Sequence, residues 1–277
     1  MAAGAINESQ AFVESIIDVA MQAGTEVKAI FQQGNFEKCI KEDHTPVTSA
    51  DLASHELIIK RLQSLTPDIP ILSEEDANIP LSIRQQWQRY WLVDPLDGTG
   101  EFIAGSGDFA VLIALVENNK PTLGVVYAPM RDICYYAMKG QGAFKREHGQ
   151  QTQIISQHVK DQHSSLTIAV SRRQNPQTVL SLFQSDYEHQ LIRLGGAALK
   201  SCLVAEGKAD CYVRIGPTGE WDTGAAQVIL EEAGGTITDL QLNQLSYNQR
   251  ESLENPNFIA IGRLDMSWEH RLITPSE

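Results

Sequence analysis

The sequence is poor in cysteine, in basic residues and in long apolar runs, and each shortage excludes a class of protein. Its four cysteines, Cys39, Cys134, Cys202 and Cys211, lie far apart with no C-x-x-C pair, which suits reduced thiols packed in a core better than a disulfide framework. Twenty-two Lys and Arg stand against 35 Asp and Glu, a formal net charge of −13. Such a chain is not expected to hold nucleic acid, because that binding rests on clustered cations that displace counterions from phosphates. The longest clean apolar run, Phe109 to Val116, is far shorter than the roughly 20 residues of a spanning helix, so no integral membrane segment is expected. Glu8, Glu14 and Asp18 occupy the first stretch with no cationic run before its apolar residues, which does not read as a secretory signal; the cytoplasm is the expected location.

What is present is enough to fold. With 42% hydrophobic and 21% charged residues over 277 positions, the chain is globular, as one large domain or two halves sharing a core. Phe12, Val13, Ile16, Ile17, Ala20, Met21, Val27, Ile30 and Phe31 recur at helical spacing and predict an amphipathic helix over about residues 8 to 33, eased at Gly24. A second helix is predicted over 51 to 65 after Thr48-Ser49-Ala50-Asp51, closed before Pro67. Short apolar strands, Pro70-Ile71-Leu72 and Tyr90-Trp91-Leu92-Val93, then run into acids, and strands at 108 to 116, 122 to 128 and 133 to 138 read as an antiparallel meander. The polar stretch 145 to 164 predicts an exposed hairpin or a connection between halves. Beyond it, strands near 166 to 170, 191 to 194 and 210 to 215 alternate with helices near 176 to 184, 197 to 205 and 222 to 233, an α/β pattern.

The chemistry concentrates where apolar strands meet acids. In Asp94-Pro95-Leu96-Asp97-Gly98-Thr99 two carboxylates follow a buried-looking strand, and Pro95 stiffens the backbone between them. Hard divalent cations want such an arrangement: Mg²⁺ takes oxygen ligands, usually a few carboxylates plus substrate phosphate, and the Leu96 carbonyl offers another oxygen. Gly98 and Thr99 follow with amides and a hydroxyl where a phosphate oxygen would lie. Taken alone, Asp94 and Asp97 are equally explained as turn formers. Glu74 and Glu75 alone would pass for solvated surface, and Asp51 and Asp222 for helix N-caps. Four acidic clusters at element ends, with Asp43 and Thr48 as further oxygen donors beside Asp51, are simpler to explain as one converging site. None of the seven histidines falls in a zinc-ligand spacing or beside a nucleophile elbow.

Asp94-Pro95-Leu96-Asp97-Gly98-Thr99, Glu74-Glu75 and Trp221-Asp222-Thr223-Gly224-Ala225-Ala226 together resemble the two signatures of the inositol monophosphatase superfamily of Mg²⁺-dependent, lithium-sensitive phosphatases. Within it, Asp43 to Asp51, Leu72-Ser73-Glu74-Glu75-Asp76, Trp87 to Trp91 and Gly216-Pro217-Thr218 look most like the bacterial CysQ-type branch of 3'(2'),5'-bisphosphate nucleotidases, the likeness covering about residues 9 to 261. The resemblance implies that Glu74, Asp94, the Leu96 carbonyl, Asp97 and Asp222 hold two or three Mg²⁺ ions. It implies that Asp51 and Thr99 orient and deprotonate a metal-activated water for in-line attack, with no covalent intermediate. Glu74, Leu96, Asp97, Gly98, Thr99 and Asp222 would also meet the substrate, and Lys200 and Arg214 match the family's nucleotide-side cations.

The implied reaction converts adenosine 3',5'-bisphosphate to AMP and phosphate in sulfur assimilation. The alternatives are an inositol or sugar phosphate phosphatase with the same metal site, or a non-catalytic metal-binding protein. The resemblance also implies an α+β fold, a layered αβαβα sandwich. Its N-terminal α+β half, 1 to 160, would carry most metal ligands, and its C-terminal α/β half, 161 to 277, substrate selectivity and the last ligand. A monomer is expected, cytoplasmic or peripheral on the inner membrane's cytoplasmic face. Three positions depart from the branch pattern: Gly100 where relatives usually show Lys, Ala197 after Gly196 where a Ser is usual, and Gln174 after Arg173 where His is frequent.

Overall fold

The computed structural model describes residues 8–40, 46–156, 165–184, 188–262, 264 and 268–272. Helix α1 (Glu8–Gln33) precedes a hairpin of two three-residue strands, β1 (Lys38–Ile40) and β2 (Pro46–Thr48), and α2 (Ser49–Leu65). Strand β3 (Ile71–Ser73), a 3₁₀ turn at Glu74–Asp76 and the short α3 (Leu81–Arg84) lead into β4 (Arg89–Asp97) and α4 (Thr99–Ile103). The meander follows: β5 (Ala110–Glu117), β6 (Lys120–Ala128), β7 (Ile133–Met138), β8 (Ala143–Glu147) and β9 (Gln150–Ile154). Next come β10 (Leu166–Ser171), α5 (Pro176–Leu180), β11 (His189–Leu194), α6 (Ala197–Ala205), β12 (Cys211–Arg214) and α7 (Glu220–Glu232). Strands β13 (Thr236–Asp239) and β14 (Phe258–Ile261) and helix α8 (Trp268–Arg271) complete the described chain.

Strands β3 to β9 form a seven-stranded sheet in chain order, with β3 parallel to β4 and every later pair antiparallel. A five-stranded sheet has the order β11-β10-β12-β14-β13, parallel from β11 to β12 and antiparallel beyond. Period-two alternation along the large sheet assigns its faces. Trp91, Val93, Val111, Ile113, Leu123 and Val125 face Ile16, Ile17, Ala20, Ile58 and Leu62 of α1 and α2. Leu92, Leu112, Ala114 and Val126 face Ala198, Cys202, Ala225, Ala226 and Ile229 of α6 and α7, whose other side meets Ala169, Tyr212, Ile237 and Ala260 of the small sheet. The outer face of that sheet packs Ile168, Val170, Val213 and Ile259 against Val179, Trp268 and Leu272. Five layers result, α1/α2, large sheet, α6/α7, small sheet, α5/α8: an α+β αβαβα sandwich.

Several expectations need correction. Helix α1 runs unbroken through Gly24, where the missing side chain makes room for Tyr127: a Cβ there would stand 2.6 Å from its Cε1. Of the two alternatives for the polar stretch after residue 145, the exposed hairpin holds through residue 154: β8 and β9 pair and extend the large sheet, with β9 exposed at all but its last position, although Lys145 is buried and pairs with Glu206 at 3.3 Å. Residues 157–164, with the boundary expected at 160, lie outside the described residues, as do Asp43, His44 and Thr45. Helix α5 stops at Leu180 instead of 184.

Candidate active site

Strand β4 does not end before Asp94 but runs on through Asp97 by way of a β-bulge. Asp94 pairs with Leu112 and Asp97 with Ala110, so Pro95 and Leu96 oppose the single Val111. A bulge tolerates proline, which has no ladder donor, and re-aims the flanking side chains. The Pro95 carbonyl is tied to Ser54 Oγ at 2.8 Å and the Asp94 Oδ1 accepts the Leu96 amide at 2.9 Å. Both aspartates are thereby buried at one end of the large sheet. Glu74 reaches the same end because β3 lies parallel to β4 and its 3₁₀ turn follows directly.

Asp51 and Asp222 arrive by one shared device. Neither is an N-cap; each is the third residue of its helix, behind caps Thr48 and Gly219, and reaches back to the cap amide. Asp51 Oδ2 accepts the Thr48 amide at 2.8 Å and its hydroxyl at 2.6 Å, while Asp222 Oδ2 accepts the Gly219 amide at 2.6 Å. This satisfies an orphan donor of the first helical turn with one oxygen and leaves the other for the site. In Asp51 that second oxygen accepts the Thr99 hydroxyl at 2.8 Å, and the same hydroxyl lies 3.3 Å from the Leu96 carbonyl. In Asp97 each oxygen accepts an amide from the start of α6, Ala197 and Ala198, both at 2.9 Å.

One carboxylate oxygen each of Asp94, Asp97 and Asp222 lie within 4.8 Å of one another. Glu74 is outside that trio but close enough for its charge to act on Asp94 and Asp222. Burial, then the charges of Glu74, Asp222 and Asp97, push the Asp94 carboxyl well above the usual carboxylate range. Asp222 is raised well above it by burial and by Asp97 and Glu74, with the Gly219 amide opposing. Burial also raises Asp97, against the pull of the two α6 amides, Lys200 and Arg214, and raises Asp51 against its Thr48 and Thr99 bonds. Like charges held this close in a desolvated site need either protons or a cation. Their oxygens are the hard donors that divalent metals take, so the residues present fit a Mg²⁺-type ion.

Glu74, Asp94, Leu96, Gly98, Thr99 and Asp222 line a cleft of about 380 Å³, closed on its far side by Pro217, Thr218, Trp221, Leu253 and Glu254. A second depression, of about 220 Å³, adjoins it through Gly98, Pro217, Thr218 and Asp222 and is lined by Asp97, Gly100, Glu101, Arg173, Lys200 and Arg214. The two expected cations differ in how they reach it. Lys200 is buried over the Tyr212 ring at 4.9 Å, its ammonium donating to the Gly196 and Leu194 carbonyls, and burial pushes it down to about 8 against the pull of Asp97. Arg214 is half-buried with Nη2 on the Pro217 carbonyl at 2.9 Å. Sequence reading missed Glu101, Arg173, Leu253 and Glu254, whose membership depends on contacts between distant segments and leaves no local signature.

The chain matches the inositol monophosphatase family over residues 9–271. It belongs to that family. Among family members, the 3'(2'),5'-bisphosphate nucleotidase CysQ of Aggregatibacter actinomycetemcomitans is 44% identical over 257 residues, 93% of this chain and 95% of that protein. The Salmonella typhimurium protein of the same name is 45% identical over 247 residues, covering 89% and 98% of the two chains. The crystal structure of CysQ from Bacteroides thetaiotaomicron superimposes with a TM-score of 0.78 at 34% identity, over 92% of this chain and 98% of that one. Membership makes the chain a metal-dependent phosphatase of α+β sandwich fold. Among the described residues no helix is long and apolar enough to cross a membrane.

Proposed function

We propose that the chain is a Mg²⁺-dependent, lithium-sensitive 3'(2'),5'-bisphosphate nucleotidase that hydrolyses adenosine 3',5'-bisphosphate to AMP and phosphate in sulfur assimilation. The meeting of Asp94 and Asp97 with Asp222, more than a hundred positions later in the chain, within 4.8 Å supports the metal-dependent chemistry, and the adjoining depression with Lys200 and Arg214, together with the CysQ relatives at 44% and 45% identity, supports the nucleotide assignment. In this reading Glu74, Asp94, the Leu96 carbonyl, Asp97 and Asp222 hold two or three Mg²⁺ ions. The N-terminal half, to residue 160, supplies most of these ligands, and the half from 161 supplies Asp222 and the nucleotide-side cations. When bound, the ions neutralise phosphoryl oxygens, lower the pKa of a water and stabilise the leaving alkoxide.

The chain's own groups do the rest. Thr99 Oγ1 donates a hydrogen bond to Asp51 Oδ1, 2.8 Å away, so its lone pairs are free to accept one from the attacking water, and as the hydroxyl's proton moves onto Asp51 the water's proton replaces it. Water is thus oriented, and its proton has a route to Asp51. Gly98 and Thr99 line the cleft and would stand beside the scissile phosphate. Lys200 acts on the adjoining depression through its buried charge and Arg214 through its partly exposed guanidinium, favouring a substrate with a second phosphate. With a net charge of −13, the substrate is a small nucleotide and not a nucleic acid. We take the working unit to be a cytoplasmic monomer.

The test is phosphate release from adenosine 3',5'-bisphosphate and, in parallel, from inositol 1-phosphate, with Mg²⁺, with Mg²⁺ plus Li⁺, and with EDTA. The expected result is a nucleotide preference that needs Mg²⁺ and falls with Li⁺. A preference for the inositol ester would overturn the substrate assignment while keeping the chemistry, and inactivity on both would overturn the enzyme reading.

A further inference from the structure

The depression beside the acidic cleft contains a cation that the assignment above leaves without a role. Arg173 projects from the turn after β10, and its side chain is 58% exposed. The turn is fastened from several sides. Arg172, the preceding residue, donates to the buried Asp108, which also accepts Arg131 Nη2 at 2.6 Å and the Gly195 amide at 3.1 Å. The Arg173 amide lies 3.4 Å from Ser171 Oγ, and the Gln174 amide bonds the Ser171 carbonyl at 3.2 Å.

The guanidinium itself is also fixed. Its Nε donates to Glu101 Oε1 at 3.0 Å, Glu101 is held in turn by Ser106 Oγ at 2.6 Å, and Nη2 donates to the Gly100 carbonyl. This position exists because residue 100 has no side chain. A Cβ on Gly100 would stand 2.8 Å from Arg173 Cζ and 3.1 Å from Nη2, and Nη1 would be nearer still. Gly100 lies in α4 with an ordinary helical backbone, so its conformation gives no reason for a glycine. Space for the guanidinium does give one.

Glu101 neutralises one edge of Arg173 and Gly100 backs it, and Arg173 lines the depression shared with Lys200 and Arg214. Of these three cations, Lys200 is buried with its ammonium turned onto main-chain carbonyls and Arg214 is half-buried, whereas Arg173 is the most exposed and, with Nε and Nη2 engaged, still has Nη1 to offer. We propose that Arg173, seated over Gly100, is a specificity-determining residue that receives the non-scissile phosphate of the bisphosphorylated substrate. The pairing rests on the nucleotidase reading above and extends it to a residue pair. A planar guanidinium held at two corners is preorganised for a phosphate, so little side-chain entropy is lost on binding.

The experiment compares kcat/KM on adenosine 3',5'-bisphosphate with kcat/KM on adenosine 3'-monophosphate, which keeps the scissile ester and lacks the second phosphate. In the wild type the ratio should favour the bisphosphate strongly. Arg173→Ala should lower that ratio about 10- to 100-fold, the range expected for one charge-assisted contact, chiefly through KM, with Arg173→Lys intermediate. Gly100→Ala, which displaces the guanidinium, should lower it in the same sense, and Gly100→Ala/Arg173→Ala should be no worse than Arg173→Ala alone. Equal losses on both substrates in Arg173→Ala, a wild-type ratio near one, or additive effects in the double variant would each overturn the inference and leave the phosphatase standing. A wild type inactive on both esters would overturn the nucleotidase reading itself, and the inference with it.

Discussion

Two clusters of buried charge lie on either side of the first turn of α7, and they follow opposite rules. On one side Arg84, fully buried, places every nitrogen on an acceptor: Nε on the Ile79 carbonyl at 3.0 Å, Nη1 on Asn248 Oδ1 at 2.7 Å, and Nη2 on the Arg250 and Glu251 carbonyls at 2.6 and 2.5 Å. Asn248 returns a bond to the Arg84 carbonyl and donates its amide to the buried Glu220, itself 3.8 Å from Arg250. On the other side Asp94, Asp97 and Asp222 crowd within 4.8 Å, and the cations within reach, Lys200 and Arg214, offset only part of their charge. A cluster whose charges face opposite charge or carbonyls, even with Glu220 Oε1 left without a hydrogen bond and burial raising that carboxyl to about 7, compensates most of itself and holds the structure together. One that leaves like charges facing each other stores a binding demand for something outside the chain.

The sharpest break of this contrast is Asp97→Asn. It removes a ligand's charge at nearly constant volume, and since mutating even an outer-shell partner of a metal costs about 10- to 100-fold, kcat/KM should fall at least about 100-fold. Asp97 also accepts the Ala197 and Ala198 amides; an Asn can accept only one of them well, a cost of about 1–3 kcal/mol that relief of charge repulsion offsets. Phosphate release and thermal melting, measured on the same sample, should therefore show lost turnover in a folded protein. Full activity would remove the metal-site assignment.

Arg84→Ala should do the reverse. Truncation orphans the Ile79, Arg250 and Glu251 carbonyls and Asn248 Oδ1 and leaves a void, for which breaking a buried charged network suggests a loss of about 3–5 kcal/mol. The urea midpoint should drop accordingly, while the protein that stays folded keeps its response to Mg²⁺. A midpoint within experimental error of the wild type would mean that this cluster is not what fixes the 248–254 segment, from which Leu253 and Glu254 close the cleft.

The sequence reveals these two clusters very unequally, and the reason is physical. Asp94 and Asp97 stand out because proline and glycine flank them at the end of an apolar run, although the bulge that aims them depends on pairing with β5 and is invisible locally. Asp51 and Asp222 read as helix-start acids, which they are; that each spends one oxygen on the cap and one on the site emerges only in three dimensions. Arg84 gives no signal, because its partners other than the Ile79 carbonyl lie more than 160 positions away. The same holds for Arg173 with Gly100. The amphipathic α1 and the meander are legible because burial of one face imposes a period, whereas β1 is exposed at every position and has no alternation to read. Strands β13 and β14 are missed because they are four residues each and pair across an irregular segment.

Metal binding supplies an intermediate effect. Any ligand that binds only the folded state stabilises it by mass action, about 2.7 kcal/mol at a concentration 100 times Kd. Melting in Mg²⁺ against EDTA should show a clear upward shift for the wild type and for Arg84→Ala, and little or none for Asp97→Asn. A wild-type Tm that ignores Mg²⁺ would argue that the carboxylates are protonated rather than waiting for a cation.

Asp94→Asn tests the smallest and least intuitive consequence. Asp94 is the carboxyl most pressed by its neighbours, with Glu74, Asp222 and Asp97 all acting on it, and its only hydrogen bond among the described residues, from the Leu96 amide at 2.9 Å, is one that an Asn oxygen can accept equally well. Removing its charge therefore relieves repulsion without orphaning a donor. In EDTA the variant should melt above the wild type, by about 2–4 °C if the relief is near 1 kcal/mol. In Mg²⁺ the order should invert, since the wild type gains the ion's binding energy and the variant has lost a ligand. The inversion is specific to a binding site: at a structural aspartate, as at Arg84, truncating the charge lowers stability under both conditions. A variant that melts below the wild type in EDTA as well would show that Asp94 belongs with the self-compensating cluster, and that the repulsion read from its surroundings is absorbed within the fold.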